Sequence, residues 1–241
     1  MPAIVEADDL GLYVLKFRGA GQGVLALVAE LICAEIGRAL DLPVPEVVFA
    51  SVGSELGRNE GDPEIRELLQ ASLGNNLAMD YLPGSAMFDP AARDPVDTVL
   101  AARTIWFDAF ITNVDRAAKN PNLLCWHRSL YLIDHGAALY FHHDWRELDK
   151  NARSRFTLIR NHVLLPWAEG LEDADEWMRS RLTRPVLEQV LQEVPDDWLL
   201  PEPTASTPDA KRAGYLRYFL TRLEAAPSFV EEALHARALL V

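Results

Sequence analysis

Apolar and polar positions along this chain follow two periods, one strand-like and one helical. Leu12-Tyr13-Val14-Leu15-Lys16-Phe17 is a short β-prone run that holds a single lysine. Val28-Ala29-Glu30-Leu31-Ile32-Cys33-Ala34-Glu35-Ile36 reads as a helix ending before Leu42-Pro43-Val44-Pro45. Residues 53–72 read as a polar loop and a helix from Pro63 to Ser72, either an insertion between strands or a lid. An apolar run then reaches Met79-Asp80-Tyr81-Leu82-Pro83-Gly84-Ser85. Pro-Gly punctuation there predicts a boundary between two lobes, 1–82 and 83–241.

Beyond the boundary, Val96, Val99, Leu100, Arg103, Phe107, Phe110 and Ile111 recur mostly at helical steps, with Pro95 suited to the first turn. Leu123-Leu124-Cys125-Trp126 and Leu130-Tyr131-Leu132-Ile133 flank His127-Arg128-Ser129 and predict a hairpin. Residues 156–166, 173–194, 208–225 and 227–239 carry helical periodicity, with Pro166, Pro185, Pro195 and Pro227 at joints and a loop at 201–208. The pattern is α+β, strand-rich first and helical afterwards.

Asn113-Val114-Asp115-Arg116-Ala117-Ala118-Lys119-Asn120 lies between the helix and the hairpin, and Asp134-His135-Gly136 follows the hairpin at once. Taken singly, a loop Asp or Asn caps a turn, and a strand lysine snorkels to water. Together, the Asp-x₄-Asn, the hairpin and the Asp-x-Gly resemble the layout of protein kinases. That resemblance implies Asp115 as the base that takes the acceptor's proton, with Asn120 and Asp134 holding Mg²⁺. Magnesium prefers hard oxygen ligands and keeps several waters, so two protein oxygens and phosphates suffice.

Tyr13–Phe17, Leu27–Pro45, Asn113–Asn120 and Ile133–Gly136 resemble the compact HipA-like bacterial kinase domains, over roughly residues 2 to 160. The resemblance implies a two-lobed, protein-kinase-like fold, with a small β-rich N-lobe carrying one helix and a larger helical C-lobe. It implies ATP and Mg²⁺ as cofactors and transfer of the γ-phosphate to a hydroxyl, Ser or Thr of a protein being the expected substrate. Lys16 would touch phosphate and Glu30, nearer the helix start than Glu35, would position it. Lys119 fits the Asn-x-Asp…Lys-Asn pattern beside Asp115 and Asn120. Gly21 and Gly23, in a glycine cluster after the lysine strand, would cradle phosphates through backbone N–H groups. Backbone groups of Asp80, Tyr81 and Leu82 would meet the adenine edge.

Three features depart from the family pattern. Ala117 stands where such kinases carry a polar residue, and His135 replaces the aromatic residue of Asp-Phe-Gly. Only fifteen residues precede Lys16, too few for a first strand, a Gly-rich loop and a second strand. The N-lobe is therefore expected to lack that first strand and loop. These departures keep open a non-catalytic, kinase-like nucleotide-binding module. A second alternative is a His/Asp metal-dependent phosphohydrolase, because Asp134, His135, His142, His143 and Asp144 crowd together. Strand-like Leu123–Ile133 and the divergent directions of adjacent histidines argue against it.

Composition bounds the rest. The chain has 241 residues, 49% of them apolar, enough for a sizeable core. A net charge of −13 argues against generic nucleic-acid or anionic-membrane binding. No apolar run reaches the roughly 18–20 residues that span a bilayer. The acidic start is no secretion signal. Cys33 and Cys125, both in apolar segments, read as buried thiols of a bacterial cytoplasmic protein. Arg146, Lys150, Arg153, Arg155 and Arg160 form a local basic run, which acidic neighbours mark as a solvated face.

Overall fold

The computed structural model describes residues 2–92, 95–200 and 206–240; part of the loop expected at 201–208 lies outside them. The chain opens with strands β1 (Pro2–Glu6) and β2 (Leu12–Lys16), then helix α1 (Gly23–Ala39). Strand β3 (Val47–Val52), helix α2 (Pro63–Ala71) and strand β4 (Gly74–Asp80) complete an antiparallel sheet in the order β1-β2-β4-β3. Among the described residues one strand, β1, precedes the lysine strand. Its register pairs Pro2 with Lys16, so the β1–β2 turn lies at the end away from the lysine.

A second sheet is built from β5 (Ala86–Met87), β6 (Leu123–Trp126) and β7 (Ser129–Leu132), reached after helix α3 (Thr98–Phe110). His127 and Arg128, at φ 47° and 66°, make the tight turn between β6 and β7, with the positive φ at both central residues that a two-residue hairpin favours. Helix α3 starts later than expected. Asp97 caps it by accepting from the N–H of Val99 and Leu100, and Pro95 stays outside. The helices after β7 are α4 (Leu148–Ala152), α5 (Leu171–Arg181), α6 (Arg184–Gln192), α7 (Asp196–Leu199), α8 (Pro208–Glu224) and α9 (Ala226–Ala238). Residues 156–166 are not one helix but short 3₁₀ turns, Thr157–Asn161 and Leu165–Trp167. The periodic stretch 173–194 is split at Leu182–Thr183, because Pro185 sits in the first turn of α6.

Alternation divides the first sheet into two faces. Leu15, Phe17, Val52 and Ala78 pack with Leu69 of α2 in a small satellite core, so α2 covers the outer face and is no lid over the lysine. Helix α1 packs elsewhere. Val28, Leu31, Ile32 and Ile36 belong to the large core they share with Phe107 of α3, Leu132 of β7 and Leu187 of α6. Gly37 makes that approach possible, since a Cβ there would lie 2.9 Å from Val44 and 3.4 Å from the Phe107 ring. A helix that follows the lysine strand in sequence is thereby built into the helical half.

Polar groups inside the core fix the loops. Arg222 is buried and donates to the carbonyls of Ala109 and Phe110 at the end of α3, and to those of Ala152 and Ser154. It satisfies carbonyls that a helix end leaves unpaired. Asp108 and Arg116 are fully buried and paired at 2.5 Å. His162 lies at 2.8 Å from the same Asp108 carboxylate and accepts from the Leu164 N–H through Nδ1, which makes it the neutral Nε2–H tautomer. Burial would raise the Asp108 carboxyl, but Arg116 and His162 hold it well below the usual range. Burial keeps His162 below its ordinary value despite Asp108.

Two measurements test this packing. Removing the guanidinium in Arg116→Leu strands Asp108 in the core and should cost roughly 3–5 kcal/mol in urea unfolding; a loss below about 1 kcal/mol would show that the pair is dispensable. His142 is buried against the Tyr215 hydroxyl at 2.9 Å, and burial with the neighbouring His143 pushes it down to about 3. Between its ordinary value of 6.5 and about 3 the unfolded chain takes up a proton that the folded ring refuses. Stability attributable to this ring is therefore intact above pH 6.5 and falls by about 2 kcal/mol near pH ~5. A His142→Asn variant should flatten that part of the stability profile.

Candidate functional site

Lys16 ends β2 facing α1 and the loop after β7. Its Nζ lies 2.7 Å from Glu30 Oε2 and 2.8 Å from Asp134 Oδ1. The two carboxylates differ in setting, since the Glu30 side chain is 2% exposed and that of Asp134 is 55% exposed. Burial would raise the Glu30 carboxyl, but Lys16, aided by His135, holds it down to about 2. Burial works against the Lys16 ammonium, yet Glu30 and Asp134 outweigh it and raise its pKa. The result is a fixed cation between a sealed anion and an open one.

A pocket of about 310 Å³ opens at this triad, lined among others by Pro2, Lys16, Gly21, Gly23, Ala26 and Asp134. Its wall is the start of α1. The helix has no side-chain cap from Gln22 and no acidic residue in its first turn, so first-turn N–H groups remain for an anion. Gly23 sits at φ +69°, which a side chain would strain, while the space around Gly21 is open. Next to the pocket, Ile4, Leu12 and Val14 share the sheet face of Lys16, as the register Ile4↔Val14 and Glu6↔Leu12 dictates. Ile4 is 61% and Leu12 45% exposed, an apolar shelf beside the cation.

Asp115 and Asn120 form a second cluster, in which Asn120 Nδ2 donates to Asp115 Oδ2 at 2.9 Å. That bond leaves Asp115 Oδ1 and Asn120 Oδ1 unengaged by each other. Asn113 accepts from the Asp115 N–H, and Asn122 donates to the Asp115 carbonyl. The buried Arg116 joins the two clusters, donating to the carbonyls of Asn122 and Ile133, the residue before Asp134. Seven of the nine positive-φ non-glycine residues in the described chain lie between Thr112 and Phe156, Asp134 at φ 57° among them. The hairpin turn accounts for His127 and Arg128, and Asn122 and Asp134 are residue types that tolerate this region, which leaves Thr112, Leu139 and Phe156 as the strained positions around these loops.

Not every residue singled out from the sequence joins in. Lys119 is exposed and makes no hydrogen bond or ion pair among the described residues. Asp80, Tyr81 and Leu82 do not line the pocket at Lys16. The N–H groups of Asp80 and Tyr81 are spent on the carbonyls of Glu46 and Leu12, which leaves Leu82 as the one whose N–H is not committed there. The His/Asp cluster of the phosphohydrolase alternative does not converge. His142 meets Tyr215, Asp144 meets Arg146 and Asp134 meets Lys16. No group of three or more His, Cys, Asp or Glu among the described residues could hold a metal ion.

Asp108, Arg116 and His162 were not singled out from the sequence, although they hold the Asp115 loop. A signal exists in Trp106-Phe107-Asp108-Ala109-Phe110, where a charge flanked by apolar residues on both sides has no solvated face. Of the basic run, Arg146, Lys150 and Arg155 pair with Asp144, Glu147 and Glu231, as a solvated face would. No described helix is long and apolar enough to cross a membrane.

Comparison with known proteins agrees with this geometry. A crystal structure of a Helicobacter pylori proinflammatory kinase, CtkA, superposes with a TM-score of 0.56 at 14% identity, covering 99% of this chain and 91% of that one. At that identity the likeness concerns the fold, a small antiparallel-sheet part joined to a helical one. No curated protein sequence matches. The family model described as HipA-like kinase matches residues 1–232, and the chain belongs to that family.

Proposed function

We propose that this protein transfers the γ-phosphate of Mg-ATP to a hydroxyl, the expected acceptor being a Ser or Thr of a protein. The observation that carries this reading is Lys16, held between buried Glu30 and exposed Asp134 at the mouth of a pocket walled by an uncapped helix start. In the HipA-like family, that arrangement suits the phosphates of a nucleotide. The ammonium meets them as a point charge, and the α1 N–H groups meet them as donors. The base of the nucleotide lies on the shelf of Ile4, Leu12 and Val14, with the Leu82 N–H as the free hinge donor.

The donor set fits a hard divalent cation. Lys16 takes Asp134 Oδ1 and Asp115 takes the Asn120 amide N–H, so Asp134 Oδ2 and Asn120 Oδ1 are not used in those bonds and are the oxygens that would hold Mg²⁺. Bound there, Mg²⁺ would neutralise phosphate charge as it moves toward the leaving group. Asp115 Oδ1 orients the acceptor hydroxyl and takes its proton, while the bond from Asn120 holds the carboxylate and the backbone N–H donated to Asn113 fixes the main chain beneath it. Rate enhancement then comes from placement and fixed charge.

Radiolabelled ATP turnover tests these roles. Asp115→Asn removes the proton acceptor but keeps the shape, so turnover should fall roughly 10²–10⁴-fold while ATP affinity stays within about twofold of the parent. Turnover at the parental rate in this variant would refute the assignment. Lys16→Met removes the phosphate charge and leaves Glu30 buried without its partner. It should lose nucleotide binding as well as turnover, which separates binding from proton transfer.

A further inference from the structure

A small cavity lined by Val114 and Arg116, the two chain neighbours of Asp115, shares no lining residue with the pocket at Lys16. The segment Phe156–His162 runs antiparallel to the Asp115 loop, joined by the bridge Ala117↔His162 and by the Val163 N–H donating to the Arg116 carbonyl. Between them lies a space of about 80 Å³ whose walls include Val114, Ala117, Phe156, Leu158 and Ile159. Val114 and Leu158, one on each bank, are each 47% exposed. These are large apolar residues left to water at the residue next to the proposed base.

Three features say what belongs there. The space suits one side chain and is too small for a helix. Beneath it Arg116 is paired with Asp108 behind it and His162 is neutral, so the floor carries no net charge for a charged occupant. Its polar atoms are those of Asn113, Asn161, His162 and the unpartnered Arg116 Nη2. Phe156 is held at φ 53°, a conformation that costs a bulky residue energy and persists where surrounding contacts impose it. The aromatic wall is thereby set in place before any acceptor arrives.

We propose that this cavity is an acceptor subsite that takes an aliphatic side chain of a polypeptide, adjacent or next but one to the phosphorylated hydroxyl. An extended chain crossing Asp115 would deliver such a side chain, because successive residues advance about 3.3–3.6 Å. The proposal rests on the phosphotransfer reading above and narrows its acceptor to a peptide with a defined neighbour.

The test uses the full chain, Mg-ATP and a phosphatase-treated peptide library from a bacterial proteome, with phosphorylation sites mapped by mass spectrometry. Thermal stabilisation by Mg-ATP is measured in parallel. Parental sites should be enriched in Val, Leu or Ile at one fixed offset from the acceptor. Leu158→Asp should phosphorylate those peptides roughly tenfold less well and turn the preference at that offset toward Lys or Arg. Leu158→Ala, which adds no charge, should weaken the preference without reversing it. Absence of an aliphatic offset, or an unchanged pattern in both variants, would overturn the proposal. So would Mg-ATP stabilisation with no peptide phosphorylated, which would assign the acceptor to a small alcohol or a lipid head group. Loss of Mg-ATP stabilisation in the parent would refute the phosphotransfer reading first, and the subsite with it.

Discussion

Sealing Asp108 and Arg116 from water costs several kcal/mol per ion before their attraction is counted, and only tight geometry with further hydrogen bonds offsets that cost. Here the offset is complete for Asp108 and partial for Arg116, whose Nε and Nη1 are engaged while Nη2 is buried without a partner. Asp108 receives Arg116, His162 and Asn113, while Arg116 donates onward to the carbonyls of Asn122 and Ile133. The pair therefore ties the end of α3, the Asp115 loop, the β6–β7 hairpin and the segment after Phe156 to one point. Loops that carry exposed polar groups would otherwise be the least ordered part of the fold. Asn122, at positive φ, gives its carbonyl to that anchor, as does Ile133 just before Asp134.

The second constraint is where α1 belongs. Its buried face lies in the large core, yet the residue it offers to the first sheet, Glu30, reaches Lys16 across the cleft. A glutamate 2% exposed cannot leave its lysine without stranding a charge. Arg18, just after the lysine strand, also pairs with Asp197 of α7, and Phe49 of β3 meets the Trp198 ring edge-on. The sheet and the helical part are thus joined a second time, through α7. In this structure the Lys16–Glu30 pair is part of the packing of α1.

The local features were legible because they are local. Asp115 and Asn120 are five residues apart and meet directly, and the hairpin between them and Asp134 is written in two short apolar runs around a polar turn. Lys16 and Glu30 stood out as polar residues inside apolar runs, and they touch. Strand β3 was harder to see, since Val47–Val52 is half exposed and takes its order from pairing with β4. Residues 156–166 carry helical spacing, but Phe156 at positive φ and Pro166 break it into 3₁₀ turns. Asp108, Arg116 and His162 escaped notice because their partners lie 8 and 54 positions away in the chain, a distance no periodicity reports. Tertiary pairing, not propensity, decides such positions.

The most direct test of the central claim is thermal unfolding of the full chain with ATP and Mg²⁺ against ATP and EDTA, with Asp134→Asn alongside. At a hundredfold excess over Kd, binding should contribute about 2.7 kcal/mol, a shift of roughly 5–10 °C. The account predicts a shift that requires Mg²⁺ and disappears in Asp134→Asn, because the exposed carboxylate beside Lys16 then no longer holds the cation. A shift that is equal in EDTA, or that survives intact in Asp134→Asn, would contradict it.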